Sequence, residues 1–332
     1  HLPEIPFNES LFEQSFQIAE ASWLKNRTTQ NILTRSKVED PDWHPFFTKL
    51  FLKGQIVRKI DCINRVAKAG QIVTTFPLFS ILYESTFATY FRLMIEKHFP
   101  SHIYIHSAKS PKEFSDWYND HWDYTVNENT ELDFESWDTG CNAPFLHFDK
   151  LLFKHLNFPE HFINYYINRK LKTKSYLGVV PIMQNSGDRW TFDLNSHRNI
   201  AFTNTKFNIP YETPQCYAGD DSAINHFARV SKFFNPDNWT MKAKLVRSKI
   251  IKFCGLSLGT INLSVDCKQL LARILIAIDS KTSNDTYLNY THLLNMYLPT
   301  DPFNDQLYSN CYHHLSKHSP YFKTKYYELR HQ

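Results

Sequence analysis

The chain has 332 residues and a formal net charge of only +4, with 42% hydrophobic and 21% charged residues. That composition reads as a globular and not a disordered chain, and it leaves room for a large core in one domain or in several lobes around a cleft. The six cysteines are scattered with no C-x-x-C among them, so neither a zinc ribbon nor a redox motif is indicated and free thiols in a reducing compartment are expected.

In chain order, residues 9–35 read as mostly helical, and Pro41 to Pro45 as a break. No stretch reaches membrane-spanning length uninterrupted; the best, Ile72 to Ile95, holds Pro77, Glu84 and Arg92. Phe79 to Phe99 predicts a long helix ended by Pro100, and Lys112 to His121 a short one. Leu132 to Phe134 predicts a strand end running into a turn. Phe145 to Leu156 and His161 to Leu171 have helical spacing, and Tyr176 to Ile182 predicts a strand. Trp190 to Phe207 predicts a helix after a Ser-Gly loop. Gln215 to Ala218 and Ser222 to Ile224 predict short strands about a tight turn. Leu263 to Ile278 and Tyr287 to Tyr297 predict closing helices. Helix and strand mixed without a regular βαβ period point to an α+β fold. The chain starts at His1 rather than Met, and it reads as a piece of a longer polypeptide.

The small net charge hides segregation. Lys49, Lys53, Arg58, Lys59, Arg65 and Lys68 form one basic stretch; Arg169, Lys170, Lys172 and Lys174 form a second; Lys242, Lys244, Arg247, Lys249 and Lys252 form a third. Acids crowd between Glu113 and Asp138. Any one run is most simply a solvated helix face. Together, basic walls around an acidic centre suit a polyanion held by its backbone beside metal ions.

Three short segments carry the chemistry. Asp133 has a second acid, Asp138, five residues on. Ser186-Gly187 opens into a helix carrying Thr191, Asn195 and, one turn on, Asn199. Gly219-Asp220-Asp221 puts two acids on a turn. Each alone is weak, because turns favour Gly and Asp and a Ser before a helix is often its N-cap. In this order and spacing they supply hard carboxylate oxygens from two places, as a pair of magnesium ions requires for phosphoryl transfer.

The assembled pattern resembles the RNA-dependent RNA polymerase of plus-strand RNA viruses, within the alphavirus-like supergroup and most like tymovirus and flexivirus replicases. Asp133 to Asp138 looks like that family's motif A. Ser186-Gly187 with Thr191, Asn195 and Asn199 is similar to motif B, and Ala218 to Ser222 to motif C. Ala243-Lys244 and Phe253 to Gly255 look like motifs D and E. Lys53 to Lys59 and Lys68 to Gln71 resemble the fingers motif that contacts the triphosphate.

The resemblance implies a right-hand fold of fingers, palm and thumb, with a palm of antiparallel strands backed by helices. Its implied boundaries are fingers over 1–124, palm over 125–145 and 181–256, a fingers/palm insertion over 146–180, and a helical thumb over 257–332. It implies that Asp133, Asp220 and Asp221 bind two Mg2+ ions, for which Mn2+ substitutes, and that Lys244 protonates the departing pyrophosphate. Asp138 and Asn195 would read the ribose 2′ hydroxyl. Ser186, Gly187 and Thr191 would position template and nucleotide. Lys53, Arg58, Lys59 and Lys68 would line the tunnel through which nucleotides arrive. The implied partners are RNA template and product, NTPs, and capping and helicase domains of the same polyprotein. The implied place is the host cytoplasm, in replication complexes that touch host membranes indirectly. Leu132 replaces the usual Asn of motif A and Ile72 the usual Thr of the fingers motif, which points to a divergent branch such as a fungal virus.

Two other readings remain open. A reverse transcriptase shares the palm but carries an aromatic side chain where this chain has Asp138, so the residue favours ribonucleotides. A non-catalytic RNA-binding replicase component is the third, against which all three acids are retained.

Overall fold

The structure, a computed structural model, describes residues 5–25, 46–52, 72–279, 284–296 and 302–318. Lys53, Arg58, Lys59 and Lys68, the expected triphosphate contacts, lie outside the described residues, as does the expected break from Pro41 to Pro45.

The N-terminal half is built around two long helices. Helix α1 (Glu9–Lys25) packs on α2, and an antiparallel pair of strands, β1 (Lys49–Leu52) with β2 (Ile72–Thr75), lies between them in sequence. Helix α2 (Leu78–His98) ends where Phe99 turns extended ahead of Pro100. Strand β3 (Ile103–Ile105) leads to α3 (Pro111–His121), which starts on a Ser110–Glu113 capping box with Pro111 in its first turn.

Strand β4 (Asn129–Glu135) carries Asp133 and runs into a single turn, α4 (Trp137–Gly140). Helices α5 (Ala143–His155) and α6 (Glu160–Lys172) follow. The segment expected as one strand over 176–182 is instead a small hairpin, β5 (Lys174–Ser175) and β6 (Gly178–Val179). Gly178 at φ +111° turns the chain there, so the pairing ends after two residues on each side. Helix α7 (Thr191–Lys206) starts after Trp190 with no side-chain cap, so Ser186 is a loop residue and not its N-cap.

Strands β7 (Phe207–Asn208), β8 (Gln215–Ala218), β9 (Asp221–Ile224) and β10 (Arg229–Val230) come next, then β11 (Lys242–Ser248). A three-stranded sheet of β12 (Ile251–Phe253), β13 (Leu256–Leu258) and β14 (Ser264–Val265) leads to α8 (Cys267–Asp279), α9 (Asn284–Met296) and α10 (Pro302–His318). The helix expected from Leu263 thus begins later, after β14.

The central sheet has the order β11-β4-β9-β8-β3. The first four strands pair antiparallel; β3 joins parallel to β8, which qualifies the all-antiparallel expectation. Alternation along each strand divides the core. Leu132, Phe134 and Ile224 point to one face and pack with Trp137, Phe145 and Phe202. Cys216, Ala218 and Ala223 point to the other, against Phe114 and Tyr118 of α3, Ile251 and Phe253 of β12, and the C-terminal helices. A third cluster joins α2 to α5 and α6 through Phe87, Phe91, Phe153, Phe162 and Trp190. This accounts for much of the aromatic content: large rings fill the spaces between helices.

Candidate active site

The acids gather at one end of the central sheet. The last paired couple of β4 and β9 is Leu132 with Ser222. One residue further on, Asp133 and Asp221 emerge on the same face as Glu131 and Ala223, because side chains alternate along both strands. Asp220 stands on the two-residue turn between β8 and β9, where Gly219 takes φ +64°. On the far side of β4, Lys244 pairs directly opposite Asp133, so its side chain leaves the same face.

Electrostatics record this crowding. Burial, then Asp220, Asp133 and Glu131, push the Asp221 carboxyl up to about 6. Glu131 is also raised, by burial first and by Asp133, with the Lys252 amide and the charges of Lys252 and Lys244 opposing. Cys254, at 3.9 Å from Asp221 Oδ2, has its thiol pushed up to about 12 by burial and the two neighbouring aspartates. Among the described residues no three His, Cys, Asp or Glu side chains are already drawn together as a ligand set. The carboxylates stand as mutually repelling neighbours, all hard oxygen donors. That donor set fits a magnesium-type cation, which would relieve the repulsion.

The repulsion has a measurable consequence. Asp221 ionises in the unfolded chain near 3.8 and in the folded chain near 6. Between those values the folded state keeps a proton that the unfolded state lacks, so stability falls as pH rises through the window and stays lower above it. With divalent cations chelated, Asp221→Asn is therefore expected to unfold at higher denaturant than the parent above pH 6. The gain is about 1 kcal/mol once solvent screening of this partly exposed group is allowed for. The two proteins should converge below pH 4. A less stable Asn variant at pH 7.5 would contradict the clustering.

The turn carrying Asp220 is braced from beneath by α7. Asn199 Nδ2 donates to the carbonyls of Gly219 (3.2 Å) and Asp220 (2.9 Å), and Ser196 Oγ accepts from the Gly219 amide (2.8 Å). One turn earlier, Asn195 Nδ2 donates to Asp138 Oδ1 at 3.2 Å. Burial, and to a lesser degree Asp220, raise the Asp138 carboxyl against that hydrogen bond. The structure therefore brings Asp133, Asp138, Asn195, Asp220 and Asp221 to one place.

The Ser-Gly loop is fixed rather than loose. The Ser186 carbonyl accepts from the Thr74 amide of β2 at 2.7 Å. Gly187 has φ +99°, and a Cβ there would lie 2.5 Å from the Thr74 carbonyl oxygen, so no other residue fits. Thr191 Oγ1 donates to the carbonyls of Asn185 (3.0 Å) and Asp188 (2.8 Å) and accepts from Gln184 Nε2 (3.0 Å), so this hydroxyl braces the loop itself.

Behind the loop lies a buried charge network of which no sequence motif gives a sign. Arg169 lies 2.7 Å from Glu84 and 3.1 Å from Asp188, and Lys170 lies 2.7 Å from Asp188. Arg198 donates through Nε to Asp149 Oδ1 (3.0 Å) and through Nη1 to Gln184 Oε1 (2.9 Å) and Asn195 Oδ1 (3.0 Å). The Gln184 amide donates to the Asp138 carbonyl at 2.9 Å. Burial alone would raise Asp188, but Arg169 and Lys170 outweigh it and hold the carboxyl well below its usual range.

The basic-run expectation is corrected in two places. Arg169 and Lys170 are buried ion-pair partners with 1% and 4% exposure, not an RNA-facing wall. The 242–252 run splits by strand parity: Lys244 shares the acids' face, whereas Arg247 points to the opposite one, over the Phe227 ring at 4.4 Å. Glu131 joins the acidic row without having been expected there; its spacing of two from Asp133 is the signal that could have found it.

Residues 5–268 match the RNA dependent RNA polymerase family. The chain is 32% identical over 286 residues to an RNA replication protein of Papaya mosaic potexvirus, covering 82% of the chain and 18% of that relative. It is 34% identical over 224 residues to the RNA replication protein of Botrytis virus F, covering 68% and 12%, and 33% identical over 267 residues to that of White clover mosaic virus (strain M), covering 77% and 20%. The chain thus spans a fifth or less of these relatives' length. In fold it is similar to the crystal structure of the RNA-dependent RNA polymerase of a human picobirnavirus, with TM-score 0.52 and 11% identity over 94% of this chain and 71% of that one. The right-hand polymerase fold is therefore the fold of this chain, and the chain belongs to the RNA-dependent RNA polymerase family of plus-strand viruses, in the alphavirus-like group that its motifs resemble.

Proposed function

We propose that this chain is the catalytic core of a viral replicase that extends an RNA 3′ end with ribonucleotides on an RNA template. The observation that carries the reading is the convergence of Asp133, Asp220 and Asp221 at one sheet end, with the Asn195–Asp138 pair beside them. In the working enzyme, Asp133, Asp220 and Asp221 hold two divalent cations, Mg2+ or in its place Mn2+. When bound, these supply Lewis-acid activation of the attacking 3′ oxygen and neutralisation of the leaving pyrophosphate.

The chain's own residues do the rest. Lys244 holds a proton on Nζ, on the acids' face, for the departing pyrophosphate. Asn199 and Ser196 fix the height of the Asp220 turn, so the carboxylates are placed before any ligand arrives. Ser186 and Gly187, locked to β2, position template and incoming base, with Thr191 keeping the loop's shape. The segment holding Lys53, Arg58, Lys59 and Lys68 guides the triphosphate. Residues 1–124 form the fingers, 125–145 and 181–256 the palm, 146–180 an insertion between them, and 257–332 the thumb. Capping and helicase domains of a longer polyprotein would act on the same RNA, in host cytoplasm beside membranes. Among the described residues no helix is long and apolar enough to cross a membrane.

Sugar choice tests the reading against a reverse transcriptase. A ribose 2′ hydroxyl can donate to Asp138 and accept from Asn195; a deoxyribose leaves both poorly paired, at a cost of about 1–3 kcal/mol. The parent is expected to prefer a ribonucleotide over its deoxy analogue by roughly tenfold to a hundredfold from this contact alone. Asn195→Ala and Asp138→Ala should each lose most of that preference in single-nucleotide incorporation. A parent without preference, or mutants that keep it in full, would favour the reverse-transcriptase reading.

A further inference from the structure

Gln184 belongs to none of the motifs, yet it is bonded toward both members of the Asp138–Asn195 pair. It is fully buried in the irregular segment between β6 and α7, where no ladder satisfies the backbone. Its amide N–H donates to the Asp138 carbonyl at 2.9 Å, which ties that segment to the single turn α4. Both polar atoms of its side chain are engaged as well. Nε2 donates to Thr191 Oγ1 (3.0 Å), and Oε1 accepts from Lys170 Nζ (3.1 Å) and from Arg198 Nη1 (2.9 Å). Lysine and arginine only donate, so the orientation of the Gln184 amide is fixed.

Arg198 Nη1 is shared. It also donates to Asn195 Oδ1 at 3.0 Å, one turn back along α7. With its oxygen held by a guanidinium, Asn195 turns Nδ2 the other way, where it donates to Asp138 Oδ1 at 3.2 Å. A flipped Asn195 would set its oxygen against the Asp138 carboxylate and offer a sugar hydroxyl no donor. Asp149 holds the guanidinium only through Nε and Nη2. The atom that orients Asn195 is held on its other side by Gln184. Gln184, Arg198, Asn195 and Asp138 therefore form a ring of contacts that closes through the Gln184 N–H.

We propose that Gln184 is a positioning residue for sugar selection. By holding Arg198 Nη1 and the Asp138 carbonyl at once, it keeps Asn195 Nδ2 turned toward Asp138, so that a ribose 2′ hydroxyl meets a donor and an acceptor together. Gln184 itself touches no substrate. The inference rests on the ribose reading proposed above and names the residue behind it.

The test measures kcat and KM for a ribonucleotide and its deoxy analogue in single-nucleotide incorporation by the parent, Gln184→Met and Gln184→Glu. Gln184→Met keeps the side chain's length and loses the acceptor. Its kcat/KM for the ribonucleotide should fall at least about fivefold, while that for the deoxy analogue, which makes no 2′ contact, stays within about twofold. Gln184→Glu keeps an oxygen for Lys170 and Arg198 and should retain most of the preference. Should Gln184→Met not fold, Gln184→Asn, one methylene short of Arg198, takes its place with the same expected loss. A second readout needs no nucleotide. In denaturant unfolding, Asn195→Ala should lower the midpoint less in the Gln184→Met background than in the parent, because the link it removes is already cut. With a parent that prefers ribonucleotides, three results would overturn the proposal and leave the ribose reading standing: Gln184→Met keeps the preference in full, it loses both nucleotides equally, or the two midpoint shifts simply add. A Gln184→Glu no better than Gln184→Met would also overturn it. A parent without ribose preference would remove the ribose reading, and this inference with it.

Discussion

Asp220→Asn is expected to lower nucleotide incorporation at least about a thousandfold, on the order of 4 kcal/mol of transition-state stabilisation, while the fold stays intact. The substitution removes one charge from the crowded row and keeps the side chain's size. The Gly219-Asp220 turn is held through backbone carbonyls by Asn199, and these contacts do not depend on the Asp220 carboxylate. Circular dichroism and the unfolding midpoint should therefore match the parent or rise slightly. Titration of Mn2+ followed by proton relaxation should show weaker binding in the variant, a readout independent of turnover. An Asp220→Asn protein that incorporates nucleotides within about tenfold of the parent would remove Asp220 from the catalytic set.

Arg198→Ala is expected to be among the most destabilising single changes in the chain, at about 3–5 kcal/mol by chemical denaturation. It would leave Asp149 buried with the Tyr166 hydroxyl, at 2.8 Å, as its remaining hydrogen-bond partner among the described side chains, and would strip Gln184 and Asn195 of a shared donor. Arg198→Lys should recover only part of the loss, because an ammonium cannot reproduce the planar fork on Asp149. Replacing both partners, Arg198→Met with Asp149→Leu, should be much milder than either single change, since no charge is then left buried alone. The double variant should still discriminate poorly between ribose and deoxyribose, because Asn195 loses its backing. If Arg198→Ala unfolds within about 1 kcal/mol of the parent, the network is not what holds the loop.

How far the sequence can be read follows from how local each feature is. The Asp133, Asp138, Asn195 and Asp220 pattern is carried by short spacings, and the structure brings these four to one sheet end, whereas Ser186 lies in the loop tied to β2. The strand Lys242–Ser248 reads at first as a basic run, although its alternation of Lys242, Lys244 and Val246 against Ala243, Leu245 and Arg247 has the period of a strand. Arg169 and Lys170 look like surface charges because Glu84, the partner of Arg169, lies far earlier in the chain, and no local pattern announces a buried pair at that distance. The same holds for Gly187: its need to be glycine comes from Thr74, in a strand of the N-terminal half. The Tyr176 to Ile182 strand fails at Gly178, where a positive φ closes a hairpin. The residues proposed to act are carried by local spacings. The residues that hold them in place belong to tertiary contacts.

The central claim is that this chain copies RNA into RNA at the Asp133–Asp220–Asp221 site. The most direct measurement is extension of an annealed RNA primer on an RNA template by the purified chain with Mg2+, using a single labelled nucleotide at a time. The account predicts that only the ribonucleotide complementary to the template base is added, that its deoxy analogue is added at least about tenfold more slowly, and that Asp220→Asn adds neither. Template-independent addition, equal use of the deoxynucleotide, or full activity in Asp220→Asn would contradict it.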